Sequence, residues 1–305
     1  MLRGSGGGSV TSLAIDHLNA EGVAELLDRA AACLRADPAR RGCTVHLPDQ
    51  GRLLATGDLH DNPIHFMKVQ AFAQLQDPAH HVVLHELIHG ERLTHGADLS
   101  WRMLAKVAAL VMAHPGQVHP VLANHEIAQA FDQPVSKGAG ENTALFHDGM
   151  AWSFGDDAGR VDLAIRGFVR AMPLAARTAR GILCAHSLPS PMAMSTFDAG
   201  VLQRELDDAD FAVRTGAAWN MTWGRGQTAE QVETLARAWD VRLFIVGHKH
   251  AAEGVEAIGP RMLVLNSDHE HAVVLPVDLG QEPADAAEMA LSAVPLAMIG
   301  AALDG

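Results

Sequence analysis

The chain has 305 residues, 48% hydrophobic and 19% charged, with a formal net charge of −13. That is a globular composition, long enough for one large domain or two ordinary ones. The acidity leaves no basic footprint for nucleic acid or anionic lipid. Three cysteines, Cys33, Cys43 and Cys184, form no CxxC pair, which excludes a disulfide framework and fits a reducing, cytoplasmic setting.

Residues 1–10 are rich in Gly and Ser and lack an apolar run, so they read as a flexible tail rather than a secretory signal. Apolar residues at helical spacing predict a helix over 15–34, ending before Pro38. Short strands are expected at 44–47 and 52–55, around the polar turn from Asp49 to Gly51. Helices follow over 64–75 and 99–112, the second closed by Pro115 and Gly116, with strands at 81–84 and 118–122. In the second of these helices Trp101, Met103, Leu104 and Val107 form an apolar stripe that belongs in the core. Residues 128–180 are mixed and mostly helical, a candidate cap over a pocket. Beyond them come a strand at 181–185, an irregular stretch at 190–226, and a helix over 228–239 with Thr228 as N-cap. A buried strand follows at 243–246, and a terminal antiparallel set at 255–258, 262–265 and 272–277. The apolar stretch 286–303, broken by Glu288 and Pro295, reads as a C-terminal helix docked on the body or on a second subunit. The domain expectation is a tail and helix over 1–40, one α/β domain over 41–280 with a helical insertion near 128–180, and a C-terminal apolar helix or tail over 281–305.

Five predicted strands end in side chains suited to a metal. The first leads into Gly57-Asp58-Leu59-His60, the second into His85-Glu86, the third into Asn124-His125-Glu126. The fourth leads into His186, and the fifth into Gly247-His248-Lys249-His250. Ligands at the carboxyl ends of neighbouring strands share one crevice. Carboxylate, imidazole and amide donors without thiolate suit Mn, Fe or Zn in a reactive site better than a structural zinc. The donors are too many for one four-coordinate ion and suit two ions sharing a carboxylate.

The ordered series GDLHDN, NHE, CAHS and GHKH resembles the calcineurin-like metallophosphoesterase superfamily, whose pattern is GDxH, GDxxDRG, GNHE/D, a lone His after a strand, and GHxH. The resemblance spans about residues 50–275, and the segment FVRAMPLAARTARGILCAHSLPSP at 168–191 is similar to the protein-phosphatase branch. It implies an αββα sandwich of four layers with two mixed β-sheets. It also implies a dinuclear centre that hydrolyses phosphoesters with a metal-activated water. By motif, Asp58, His60 and His250 would hold the first ion and Asn124, His186 and His248 the second. Glu86 would be the bridging carboxylate, where the family usually has Asp. His125 would protonate the leaving oxygen or stabilise it. The implied substrate is a phosphorylated small molecule or a phosphoprotein.

The chain departs from the family at His89 and Gly90, where GDxxDRG has an Asp that would orient the imidazole and an Arg that would grip phosphate. The protein-phosphatase Arg before GNHE is also missing from Val121-Leu122-Ala123. Arg225, in Thr222-Trp223-Gly224-Arg225, resembles a Trp-x-Arg stretch of some bacterial members and is the candidate substrate-binding replacement. These gaps motivate a second reading, a degenerate member that binds metal or phosphate without turnover. A third comes from His85-Glu86-Leu87-Ile88-His89, literally the HExxH of zinc proteases, with His95 placed as a third ligand. That reading needs a helix through the motif, whereas Val82-Val83-Leu84 predicts a strand running into it.

Overall fold

Alternate residues of the central strands face two different cores, and this sets the architecture. The structure, a computed structural model, describes residues 15–133, 136–137 and 140–300, so the Gly/Ser tail lies outside the described residues. Seven strands form one sheet in the order β1 (Arg40–Arg41), β2 (Thr44–His46), β10 (Ala175–Arg177), β11 (Ile182–Ala185), β12 (Leu243–Val246), β14 (Met262–Leu265) and β13 (Val255–Ile258). Five form the other, in the order β16 (Val294–Pro295), β15 (Val273–Asp278), β3 (Arg52–Asp58), β4 (His80–His85) and β7 (Val118–Pro120). Two small hairpins stand apart, β5 (Leu93–Thr94) with β6 (Ala97–Asp98), and β8 (Ser136–Lys137) with β9 (Gly140–Glu141). Both large sheets are mixed: β3, β4 and β7 run parallel with β15 antiparallel, and β11, β12 and β14 run parallel between antiparallel β10 and β13.

Leu53 and Ala55 of β3, Val83 of β4, Ile182 and Cys184 of β11, Leu243 and Ile245 of β12, and Leu263 and Leu265 of β14 form one buried cluster between the sheets. The intervening Leu54, Val82, Leu84, Leu183, Phe244, Val246 and Val264 belong instead to the cluster shared with the helices. Strands buried on both faces read as continuous apolar runs, as these do. The helices cover the outer faces. α1 (Ala20–Arg35), capped by Asn19, buries Val23, Leu27 and Leu34; α3 (Trp101–Ala113) buries Trp101, Leu104 and Val107; α8 (Ala229–Trp239), capped by Thr228, buries Val232 and Leu235. The expected four-layer αββα sandwich is thus what the chain forms.

Three expectations change. The strands flanking the Asp49–Gly51 turn part company: β2 pairs with β10 and β3 with β4, in different sheets. The terminal strands are not one antiparallel set. β13 and β14 form a hairpin, but β15 crosses to lie against β3, with Val273, Leu275 and Val277 in the inter-sheet core. The C-terminal apolar segment is not a single helix. Helix α9 (Ala286–Ala290) is short, and β16 then adds to the sheet edge, where Pro295, which has no N–H to donate, is tolerated. The end of that segment, 301–305, lies outside the described residues.

Candidate metal centre

The predicted donors meet where β3, β4, β11 and β12 end and α4 (Asn124–Ala130) begins. Two glycines permit the approach. A Cβ on Gly57 would lie 2.0 Å from the Leu265 carbonyl oxygen, so the ends of the two sheets close on each other only without a side chain there. The Asp58–Asn266 bridge and the hydrogen bond from Ser267 N to Asp58 O (3.0 Å) complete that junction. A Cβ on Gly247 would lie 2.1 Å from Asp58 Oδ1, so the β12 end also presses on the Asp58 carboxyl. His60 (φ 42°), Glu86 (φ 36°), His89 (φ 58°) and His248 (φ 64°) all hold left-handed backbone. Each such residue costs about 1–3 kcal/mol, and clusters of them mark functional sites.

Three groups of donor atoms lie within 4.8 Å of one another: Asp58, His85 and His186; His60, Glu86 and His125; and Glu86, His186 and His248. Glu86 and His186 each belong to two groups, so the three are continuous. Glu86 Oε2 stands 3.5 Å from His60 Nε2 and 3.6 Å from His186 Nε2, while Oε1 stands 3.6 Å from His125 Nδ1. His186 Nε2 is 2.6 Å from Asn124 Oδ1 and 3.2 Å from His248 Nδ1, which brings the amide into the same cluster. The His248 backbone N–H donates to both Asp58 oxygens, at 3.0 and 2.9 Å. Glu126, fully buried, accepts from Leu87 N (2.7 Å) and Ile88 N (3.2 Å) and so fixes the loop that carries Glu86.

Burial dominates the electrostatics. It pushes the Asp58 carboxyl up to about 7, against the opposing pull of the His248 N–H and a hydrogen bond with Glu86. Burial lowers His85 to about 3, and lowers His248 to about 3 with help from Arg225. His186 falls well below the ordinary range, first by burial and then by His248, His85 and the other imidazoles around it. The imidazoles are therefore held neutral, the form that ligates metal. Both ring nitrogens of His85, Nδ1 of His186 and Nε2 of His248 are buried without a hydrogen-bond partner. Neutral imidazoles with unsatisfied nitrogens, beside carboxyls that are costly to ionise, fit a divalent cation.

Asp58, His60, Glu86, Asn124, His186 and His248 are thus gathered as expected, with His125 at the same point. His250 is not: it is exposed, its ring 5.1 Å from that of His269, and it belongs to none of the three groups. His85 takes a place instead, fully buried beside Asp58 and His186. Arg225 is exposed and its Nη1 donates to the His248 carbonyl (2.9 Å), at the rim rather than among the donors. The HExxH reading is excluded locally. His85 closes a strand, Glu86 and His89 have positive φ, and residues 86–89 are loop, so the two histidines do not share a helix face. His95 is exposed. Sequence reasoning missed the contact of His89 with Asp98 (2.7 Å), because Asp98 sits in no motif.

The calcineurin-like phosphoesterase family profile matches residues 51–252, more than half of the chain, and the chain belongs to that family. Among solved structures it is similar to a protein serine/threonine phosphatase from Saccharomyces cerevisiae with similarity to human phosphatase PP5, at 15% identity and a TM-score of 0.64, covering 85% of this chain and 83% of that one. It is also similar to the cold-active protein-tyrosine phosphatase of a psychrophilic Shewanella, at 15% identity and a TM-score of 0.57, covering 82% and 80%. At such identity these likenesses speak for the fold. No curated protein is matched by the sequence.

Proposed function

We propose that the chain is a phosphatase-like hydrolase that cleaves phosphoesters at a dinuclear centre, with Glu86 shared between two ions. The observation that supports this best is the position of Glu86, which belongs to two of the donor groups: its Oε2 lies 3.5 Å from His60 Nε2 and 3.6 Å from His186 Nε2, and its Oε1 3.6 Å from His125 Nδ1. Asp58 and His60 would hold one ion, and Asn124, His186 and His248 the other, with His85 completing the set in place of His250. The donor chemistry suits Mn, Fe or Zn. When bound, such ions polarise phosphoryl oxygens and lower the pKa of water at neutral pH. The residues of the chain supply the rest. The backbone N–H of His248 and the packing of Gly247 hold Asp58 in place. His125, at the second position of α4 and beside Glu86, is placed to give a proton to the leaving-group oxygen. Arg225 at the rim is the candidate cation for an incoming phosphate, on a small molecule or a phosphoprotein.

The test is turnover of a panel of aryl phosphate monoesters and diesters by Mn-loaded protein, with metal counted in the same sample. Hydrolysis that collapses in Asp58→Asn supports the proposal. Stoichiometric metal with no turnover of any ester would favour a member that binds without catalysis.

A further inference from the structure

Helix α7 (Ala217–Trp223) runs into Gly224 and Arg225 beside the candidate metal centre. It is clamped between the two segments that supply His186 and His248. Ser187 N donates to Met221 O (2.9 Å), Ser187 Oγ donates to Gly224 O (2.7 Å), and Arg225 Nη1 donates to His248 O (2.9 Å). A Cβ on Gly224 would lie 1.8 Å from the Leu188 carbonyl oxygen, so that contact admits no side chain. Ala217, Ala218 and Met221 are buried and fasten the helix to the body. Trp219 and Trp223, four residues apart, share a side of the helix and are only half-buried.

The two indoles form one surface. Their planes are 19° apart with centroids 5.9 Å from each other, and Trp223 meets the His248 ring edge-on at 6.2 Å and 82°. An aromatic wall therefore starts at a donor of the centre and extends away from it by about a turn of helix. The helix does not depend on this wall for its own docking, since its small and aliphatic residues already pack inward. The indole N–H groups of Trp101 and Trp239 donate to Ser153 Oγ (3.2 Å) and Ala199 O (2.7 Å), whereas the buried Nε1 of Trp223 has no hydrogen-bond partner among the described residues. Such a donor is costly in a dry interior unless an acceptor is brought to it. Indoles are large, rigid surfaces that take other planar rings by offset or edge-on contact. Arg225, exposed at the same helix end, is a cation suited to the phosphate of a ligand whose ring lies on the wall.

We infer that Trp219 and Trp223 form a subsite for the aromatic ring of a phosphorylated ligand, selecting molecules in which the ring bears the phosphate directly. The wall begins at the His248 ring, so a ring on the ester oxygen falls at its inner end, against Trp223. The effect on turnover rests on the phosphoester reading above; the binding preference does not. The test uses the Mn-loaded full chain. Calorimetry compares benzylphosphonate with ethylphosphonate, whose C–P bonds are not phosphoesters. The benzyl compound should bind tighter by about fivefold or more. Trp219→Leu should cut that preference to less than about twofold, and Trp219→Phe, which keeps a ring, should retain most of it. Trp152→Leu, on α5 (Asn142–Phe154) and 60% exposed, should leave the preference unchanged. Equal binding of the two phosphonates by the wild-type chain, binding of neither, or a preference that survives Trp219→Leu would overturn the inference. In turnover, the ratio of kcat/KM for phosphotyrosine to that for phosphoserine should fall by about fivefold or more in Trp219→Leu and recover in Trp219→Phe. Adenosine 5′-phosphate, whose ring lies beyond a sugar, should lose less than phosphotyrosine; a greater loss would overturn the assignment of a directly phosphorylated ring. Should the wild-type chain hydrolyse none of these esters yet prefer benzylphosphonate through Trp219, the phosphoester reading fails and the ring subsite stands.

Discussion

Replacing Gly247 by alanine tests how tightly the β12 end is built against Asp58. The added Cβ would stand 2.1 Å from Asp58 Oδ1, 3.1 Å from Asp58 Cγ and 3.3 Å from His85 Nδ1. Ordinary contact begins at 3.4 Å, so the carboxylate or the backbone must move by about 1.3 Å, the difference between 3.4 and 2.1 Å. A shift of that size breaks the hydrogen bonds from His248 N to both Asp58 oxygens, now 3.0 and 2.9 Å. Overpacking costs about 1–3 kcal/mol and a lost hydrogen bond to a buried acidic group about 1–3 kcal/mol, so the variant should be destabilised by about 2–6 kcal/mol. Urea unfolding of the metal-free protein measures this, and Mn titration of the same sample should show weakened binding. Gly159→Ala is the control: no atom lies within 4 Å of its added Cβ, and in α6 (Ala158–Val169) it should be neutral or stabilising by up to about 1 kcal/mol. A Gly247→Ala protein within about 0.5 kcal/mol of wild type and with unchanged Mn affinity would refute the reasoning.

Other outcomes follow from the same geometry. Because burial raises Asp58 to about 7, the metal-free protein holds that proton near pH 6, and Mn must expel it. Calorimetry in buffers of different ionisation heat should find about one proton released per chain at pH 6, little above pH 8, and none from this source in Asp58→Asn. The raised carboxyl lowers metal-free stability as pH climbs from its ordinary 3.8 to about 7, whereas His85, His186 and His248, held neutral, lower it as pH falls below their ordinary 6.5. Three imidazoles outweigh one carboxyl, so unfolding measured between pH 7.5 and 5 should show stability falling on acidification. Glu126→Ala, which strips the acceptor from Leu87 N and Ile88 N, should cost about 2–4 kcal/mol in denaturant unfolding and weaken Mn binding, since Glu86 rides on that loop. His85→Ala should reduce Mn affinity more than His250→Ala; the reverse order in an equilibrium titration would restore His250 to the centre.

The strands were legible because they are apolar runs ended by polar residues. The strand expected at 243–246 forms over Leu243–Val246. Which sheet each strand joins was not legible. Leu53 and Ala55 face the inter-sheet core while Leu54 faces the helices, so both faces are apolar and no side of the strand marks its neighbour. The donors were legible for a different reason: strand ends in one order put Asp58, Glu86, His186 and His248 at one crevice whatever the sheet order. What escaped the sequence depends on loops. His250 follows His248 by two residues, yet the left-handed turn at His248 precedes its outward placement beside His269. Asp98 meets His89 only because a short hairpin folds back, and no spacing rule announces such a contact. His85 stands at a predicted strand end and in the HExxH run, but no family motif assigns it a ligand place, and its burial beside Asp58 and His186 is a property of the packed sheet ends.

The rate of aryl phosphate hydrolysis, followed as a function of Mn bound per chain, tests the shared-carboxylate centre most directly. The account predicts that turnover rises as bound metal passes from one to two ions per chain, and that Glu86→Gln abolishes both the second ion and the activity. Full activity with a single bound ion, or two bound ions with no hydrolysis of any ester, would contradict it.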